Sequence, residues 1–342
     1  MAERILVALS GGVDSSVCVH LLKEQGYDVT GLVLKMSPAH DSTVEDAKIA
    51  AAQLNIPLIV GDMQKEFDEK VVSYFVEEYR KGRTPNPCIV CNPLVKFKAL
   101  VDYADREGIE KVATGHYAGL RREGEHTLLT LGDSAARDQS YMLCRLDQSV
   151  FSRLMFPLAA LGKDRVREIA SELGLSCADK PDSQENCFIP DNDYAAFIEA
   201  RAGKCPSGDF ISPEGKVCGK HLGILHYTVG QRKKLGIALG RPVFIREIDP
   251  VTNRIYLADS GDEYAPGITV TDLTETFPGA FRDGGRYGVK IRSRAPIAPC
   301  TVHLKQDGLA EVVFDQPQRA PAPGQLAAFY DGDIVIGGGF IR

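Results

Sequence analysis

The chain has 342 residues, is 44% hydrophobic and 25% charged, and carries a formal net charge of −6. That composition is ordinary for a globular protein of two or three domains, and no apolar run approaches the roughly 20 residues that cross a bilayer. Met1-Ala2-Glu3-Arg4 leads straight into an apolar segment, so no signal peptide is expected and a cytoplasmic location follows; nine cysteines then argue against a disulfide framework.

Residues 4–9 read as a strand, and Ser10-Gly11-Gly12-Val13-Asp14-Ser15-Ser16 follows before a helical stretch over 15–24. A strand, a glycine turn with three hydroxyls and a helix start make a nest for phosphate, where backbone N–H groups and the positive end of the helix dipole face an anion. It is not a Walker A loop, because no Gly-Lys-Ser/Thr follows. Strands are predicted at 28–35, 58–60 and 111–114, alternating with helices at 44–54, 65–79 and 98–107. Alternation of this kind predicts an α/β fold with a parallel sheet, in which ligands bind beyond the C-terminal strand ends.

A helix is predicted over 163–173, stopped by Gly174. Residues 203–219 turn rich in Gly, Pro and Ser and read as a boundary. Beyond it come short β-like segments at 243–248, 254–257, 288–291, 301–304, 310–314, 325–329 and 334–336, which predict a small β-rich domain and then a β-barrel. The domains are expected at 1–203, 204–265 and 266–342. Charge is uneven: residues 1–200 carry 22 Lys and Arg against 31 Asp and Glu, whereas 201–250 carry 9 against 4. Arg232, Lys233, Lys234 and Arg241 make that segment a candidate patch for phosphate backbones.

Two polar loops end in cysteine. Asn86-Pro87-Cys88-Ile89-Val90-Cys91-Asn92 is expected as an exposed loop, its prolines and asparagines keeping it out of helix. Its Cys-x-x-Cys reads as a redox pair, half a zinc site or two iron–sulfur ligands. Asp182-Ser183-Gln184-Glu185-Asn186-Cys187-Phe188 is the second. Thiolates and persulfides are strong nucleophiles toward an activated carbonyl. Thr114-Gly115-His116-Tyr117 ends a strand, which places His116 at the ligand crevice, and Asp138-Gln139-Ser140-Tyr141 gathers polar and aromatic groups.

Seven motifs stand in one order: 10–16; Gly82-Arg83-Thr84-Pro85-Asn86-Pro87 with Cys91-Asn92; 114–117; 138–141; Asp182-Ser183-Gln184 with Cys187-Phe188-Ile189; Tyr227-Thr228-Val229-Gly230-Gln231-Arg232; and Phe329-Tyr330-Asp331-Gly332-Asp333. Over its whole length the chain resembles the bacterial tRNA-specific 2-thiouridylases of the ATP pyrophosphatase superfamily. The resemblance implies an adenine-nucleotide α hydrolase-like N-terminal domain and ATP-dependent 2-thiolation of the wobble uridine (position 34), releasing AMP and pyrophosphate. It implies ATP with Mg²⁺ at Ala8, Leu9, Ser10, Gly11, Gly12, Val13, Asp14 and Ser15, with Leu34 and Gly115 as further ATP contacts. Cys187 matches the persulfide carrier and Cys91 its partner thiol. Asn86, Pro87 and Cys88 match the loop at the target base, which is flipped from its stack to react. His116, Arg137, Asp138, Gln139, Arg292, Ser293 and Gln325 match tRNA-contacting positions. The implied partners are the tRNAs for Lys, Glu and Gln, and a sulfur donor such as a cysteine desulfurase or a relay protein; no membrane is implied.

Three departures stand out. Cys88 replaces a common Asp, so Cys88, Cys91 and Cys187 together offer three ligands for a [4Fe–4S] cluster with one open iron. The segment 36–44 is shorter than usual and lacks its aromatic residue. Ser293 replaces a common tyrosine, removing a stacking contact with RNA. Two other classes compete: a synthetase or amidotransferase adenylating a small molecule, which needs no second cysteine loop, and a redox or iron–sulfur carrier, which needs no ATP.

Overall fold

The run Ile5-Leu6-Val7 forms the middle of the central strand. In the computed structural model, which describes residues 2–134, 136–181, 186–189 and 191–342, β1 (Arg4–Ala8) pairs in parallel with β2 (Asp28–Lys35) and β4 (Lys111–Ala113). β3 (Leu58–Asp62) and β7 (Leu154–Met155) complete a parallel sheet of order β3-β2-β1-β4-β7. Side chains alternate across a strand, so Ile5 and Val7 enter one core and Leu6 the other. The first core contains Val17 of α1 (Val13–Glu24), Ala47 of α2 (Asp41–Gln53) and Val166, later in the chain. The second contains Phe67 and Phe75 of α3, which runs through Gln64–Phe67, Asp68–Val72 and Ser73–Arg80, the middle part in π spacing. This core also holds Phe97 and Leu100 of α4, which runs through Pro87–Cys91, Asn92–Lys96 and Phe97–Arg106. Val166 belongs to α5 (Lys163–Glu172), which packs on α1.

The expected exposed loop at 86–92 is corrected: it is the first turns of α4, and Pro87, Ile89, Val90, Cys91 and Asn92 are buried. The physics is local. Asn86 is the N-cap, its side chain accepting from the Cys88 N–H at 3.2 Å, and Pro87 occupies the first helical position, where a missing N–H costs nothing. Pro93 removes a donor further in, and the ladder passes into π spacing across Asn92–Lys96.

α6 (Tyr194–Ala202), capped by Asp193, leads to the second domain. The stretch 203–219, read as a boundary, carries β8 (Gly208–Ile211) and β9 (Val217–His221). They join β10 (Val243–Asp249) and β11 (Arg254–Asp259) in a sheet of order β10-β11-β8-β9 around Phe210, Ile245 and Leu257.

β12 (Tyr264–Glu275), β13 (Gly285–Lys290), β14 (Ala298–Leu304), β15 (Ala310–Arg319), β16 (Leu326–Asp331) and β17 (Ile334–Ile341) form the barrel, closed by β12 pairing with β17. A hairpin of the first domain, β5 (Gly119–Glu123) and β6 (His126–Thr130), extends the barrel sheet through Thr130 opposite Ile334. Arg121 bridges to Asp333 at 2.7 Å across the same junction. Among the described residues no helix is long and apolar enough to cross a membrane.

Candidate active site

The glycine turn leaves β1 at the switch point of the sheet, with β2 on one side and β4 on the other. Gly11 (φ +72) is pressed against α2: a Cβ there would lie 2.3 Å from the Asp46 carbonyl carbon and 2.5 Å from the Ala47 nitrogen. Gly12 caps α1 without a side-chain hydrogen bond, so the first helical amides remain available to a ligand. Ser15 Oγ donates to Gly12 O at 3.1 Å and accepts from Ser10 N at 3.2 Å, and Ser16 Oγ donates to Gly12 O at 2.9 Å. Ser10 Oγ lies 3.2 Å from Ser15 Oγ. Leu9 and Val13 point into the core beneath. Gly115 brings the end of β4 onto the helix start, its position for a Cβ being 3.0 Å from the Asp14 carbonyl carbon. This cradle fits the phosphates of a nucleotide.

Asp14 accepts from Tyr117 Oη at 2.6 Å and pairs with Lys163 Nζ at 2.7 and 2.9 Å. Lys163 is 7% exposed and Asp14 34%, so the pair sits half out of water beside the turn. Sequence reasoning missed Lys163. Its signal is a lysine opening a helix behind Gly162, shortly after the edge strand β7.

Leu34 and Met36, at the end of β2, join this nest to the thiols. Both pack in the core that includes Cys91, and Cys91 Sγ lies 3.8 Å from Met36 Sδ. Cys88, one turn earlier on α4, keeps solvent contact, and so does Cys187. The loop of Cys187 is fixed by Phe188, whose ring meets Phe67, Phe75 and Phe197 at 5.5, 5.3 and 5.3 Å. Asp182, Ser183 and Gln184 of that motif lie outside the described residues.

Burial pushes the Cys187 thiol up to about 11 and the Cys91 thiol up to about 12, and it raises Cys88 as well. Cys88 acts electrostatically on Cys91 and Cys187, and Cys187 on Cys91. Lys96, partly buried on the same helix, opposes burial at all three. His116 rests with Nδ1 on Thr114 Oγ1 at 2.8 Å and its ring stacked on Phe97 at 5.7 Å. Burial first, then Lys96, holds it well below the usual imidazole range, so it is neutral at pH 7. Among the described residues no three His, Cys, Asp or Glu side chains are grouped to hold a metal ion. As arranged, the described cysteines therefore do not fit an iron–sulfur cluster.

The residues matched to RNA contacts fall into three groups. Arg137 and Gln139 are exposed near His116, and the Gln139 amide accepts from Tyr117 N at 2.9 Å. The Asp138 carboxylate is 1% exposed and committed to Gly132 N, Ser140 and, at 3.2 Å, Lys290 of the barrel. Arg292, Ser293 and Gln325 lie across the domain junction, with Arg292 Nη2 on Ala320 O at 2.6 Å and Gln325 Nε2 on Thr84 O at 2.6 Å. Of the basic segment, Arg241 is taken by Asp259 and Glu214. Arg232, Lys233 and Lys234 are exposed and pair with no carboxylate among the described residues.

A glycine turn with free helix-start amides at the switch point of a five-stranded parallel sheet, with Cys91 packed just past the neighbouring strand, is an arrangement suited to a nucleotide-dependent group-transfer enzyme. Models of three domains match the chain: a tRNA methyl transferase HUP domain at 3–191, a tRNA methyl transferase PRC-barrel domain at 195–259 and an aminomethyltransferase beta-barrel domain at 269–341. The tRNA-specific 2-thiouridylase MnmA of Lachnoclostridium phytofermentans is 43% identical over 99% of both chains. The protein of the same name from Acetivibrio thermocellus is 42% identical, again over 99% of both. The chain belongs to the tRNA-specific 2-thiouridylase family.

Proposed function

We propose that this protein replaces the C2 oxygen of the wobble uridine of tRNA by sulfur. The observation that supports the reading is the glycine turn after β1 together with Cys91, which packs against Met36 just past the adjacent strand β2, in a chain of the thiouridylase family. The domain models are described by methyl transfer, but a methyl transferase needs neither this nest nor two cysteine-bearing segments. Sulfur transfer uses both.

ATP with Mg²⁺ supplies the adenylyl group that makes the uridine O2 a leaving group. The 8–15 turn and Gly115 hold the phosphates, and the Asp14–Lys163 pair stands ready to meet phosphate and cation. Leu34 lines the adenine side. Cys187 carries a terminal sulfur received as a persulfide from a cysteine desulfurase or relay protein. That sulfur attacks C2, and AMP departs with the former O2. The Cys91 thiolate attacks Cys187 Sγ, the S–S bond to the transferred sulfur breaks, and a Cys91–Cys187 disulfide forms. A dithiol reductant returns both thiols. Asn86, Pro87 and Cys88 frame the flipped base, and neutral His116, Arg137 and Gln139 line its approach. Asp138 sets that strip through Ser140 and Lys290. The tRNAs for Lys, Glu and Gln are the expected substrates, and the cytoplasm the expected compartment.

Mass spectrometry of tRNA from a strain lacking the protein tests the reading. Loss of the 2-thio group at the wobble uridine is expected, and its persistence overturns the proposal. Pyrophosphate release that requires added tRNA separates it from a small-molecule synthetase. Iron and acid-labile sulfide analysis of anaerobically purified protein separates the persulfide route, which expects neither in stoichiometric amount, from a cluster route.

The three exposed cations, with no carboxylate partner among the described residues, give a further expectation. Changing Arg232, Lys233 and Lys234 together to Gln should weaken tRNA binding and flatten the log Kd against log salt slope by about 2, at roughly 0.7–0.9 per lost phosphate contact. An unchanged slope in filter binding from low to moderate salt removes this loop from the RNA surface. Arg241→Gln should leave the slope alone, since both its carboxylate partners are its own protein's.

A further inference from the structure

All three domains hold the segment 82–86, which joins α3 to α4. Gly82 (φ +70) lies against β10, where a Cβ would come 3.0 Å from Ile248. Thr84 N donates to Pro323 O at 2.8 Å, and Thr84 O accepts from Gln325 Nε2 at 2.6 Å. Gly324 (φ +86) permits this approach, its position for a Cβ being 3.0 Å from Arg83 Cβ and 3.1 Å from Thr84 N. Two residues after Thr84, Asn86 caps the helix that bears Cys88 and Cys91. A shift of the barrel therefore reaches the thiol helix through two residues of backbone.

The Thr84 hydroxyl is buried and has no hydrogen-bond partner among the described residues. Folded proteins rarely leave such a group, because its lost hydration is not repaid. Beside it opens a cavity of about 400 Å³, with walls from all three domains, among them Thr84, Thr228, Gly230, Gln231, Arg292 and Gln325. Among the described residues of its lining, Arg292 is the one charged side chain and none is a carboxylate. Among the described residues Arg292 hydrogen-bonds only to a carbonyl, Ala320 O, and Gly230 gives its guanidinium room, a Cβ there lying 3.1 Å from Nη2. A guanidinium, a spare hydroxyl and amides with no anion opposite form a receptor for a phosphate oxygen.

The geometry points to a coupling role for this cavity: a backbone phosphate of the RNA enters it, takes hydrogen bonds from the Thr84 hydroxyl and Arg292, and thereby sets 86–91 for reaction. The inference rests on the tRNA reading above. That reading supplies Arg292 and Gln325 as RNA contacts; Thr84 and the coupling come from the clamp, the orphaned hydroxyl and the cavity. Thr84 is a positioning residue whose effect falls on turnover more than on affinity.

The test uses the full-length protein with a tRNA transcript and saturating ATP. Thr84→Val keeps the shape and both backbone hydrogen bonds and removes only the hydroxyl. Its Tm should equal or exceed that of the unsubstituted protein, since an unsatisfied polar atom is gone. Its tRNA Kd should rise by no more than about threefold while kcat for tRNA-dependent pyrophosphate release falls about tenfold or more, as misplacement of a reacting loop does. Thr84→Ser, which keeps the hydroxyl, should restore most of kcat. The inference is overturned by a Thr84→Val protein with normal kcat, by a loss confined to Kd, or by a lowered Tm with losses that Thr84→Ser does not rescue. If the unsubstituted protein releases no pyrophosphate with tRNA, the parent reading fails; if it does and Thr84→Val matches it, this inference alone fails.

Discussion

Cys187→Ser should form no measurable 2-thiouridine, a loss of about 10³-fold or more in sulfur transfer, while tRNA-dependent pyrophosphate release continues. A serine oxygen cannot carry a sulfane sulfur, but it leaves the phosphate nest and the Phe188 anchor untouched, so activation of the base and delivery of sulfur separate. Equal loss of both activities would mean that Cys187 shapes the site instead of carrying sulfur. Cys88→Ala should raise KM for tRNA through the base pocket it helps frame while leaving kcat for thiolation within a fewfold, because neither the persulfide nor the disulfide step uses it. The pH dependence has a definite sign. With its thiol raised to about 11, Cys187 is almost wholly protonated at pH 7, and its thiolate fraction grows tenfold per unit as pH rises toward that value. Iodoacetamide labelling of Cys187 should therefore keep accelerating from pH 7 to 10. A plateau below pH 8 would show that Lys96 outweighs burial in solution.

The glycine turn after β1 was legible in the sequence because everything it needs is local. An apolar strand, a glycine pair and a helix start lie within some twenty residues, and β1, β2 and the turn between β1 and α1 stand where that pattern predicts them. The Cys-x-x-Cys segment was misread for an equally local reason. Asn-Pro reads as a breaker inside an element but as a start signal at its first residue, and here Asn86 and Pro87 are cap and first helical position. What sequence could not supply was pairing at long range. The β5–β6 hairpin joins the barrel through Thr130 and Ile334, some two hundred residues apart, and nothing within either segment records that register. Arg241 looked like part of a basic patch until Glu214 and Asp259 came to meet it. Asp138 carried polar promise in its motif, yet its carboxylate is spent on Lys290 from another domain. The orphaned Thr84 hydroxyl is a property of one buried atom, visible only once three domains close around it.

Gly11→Ala should cost about 3 kcal/mol of stability and abolish ATP-dependent chemistry. About 1–2 kcal/mol comes from forcing a Cβ into the left-handed region at φ +72. A similar amount or more comes from overpacking, because that Cβ would sit 2.3 Å from the backbone of α2 at Asp46, which cannot swing aside as a side chain can. Relief requires the turn or α2 to move, and either motion misaligns the amides that cradle phosphate. Gly12→Ala is the informative contrast. Gly12 has φ −85, and the nearest atom to its Cβ would be Ser10 Oγ at 3.5 Å, an ordinary contact. Urea unfolding should leave Gly12→Ala within about 1 kcal/mol of the unsubstituted protein. If Gly12→Ala is stable yet inactive, the nucleotide must approach that backbone too closely for a methyl group, and the nest is a binding surface. If Gly11→Ala proves as stable as Gly12→Ala, the turn does not rest on α2 in solution, and the cradle derived from that contact falls with it.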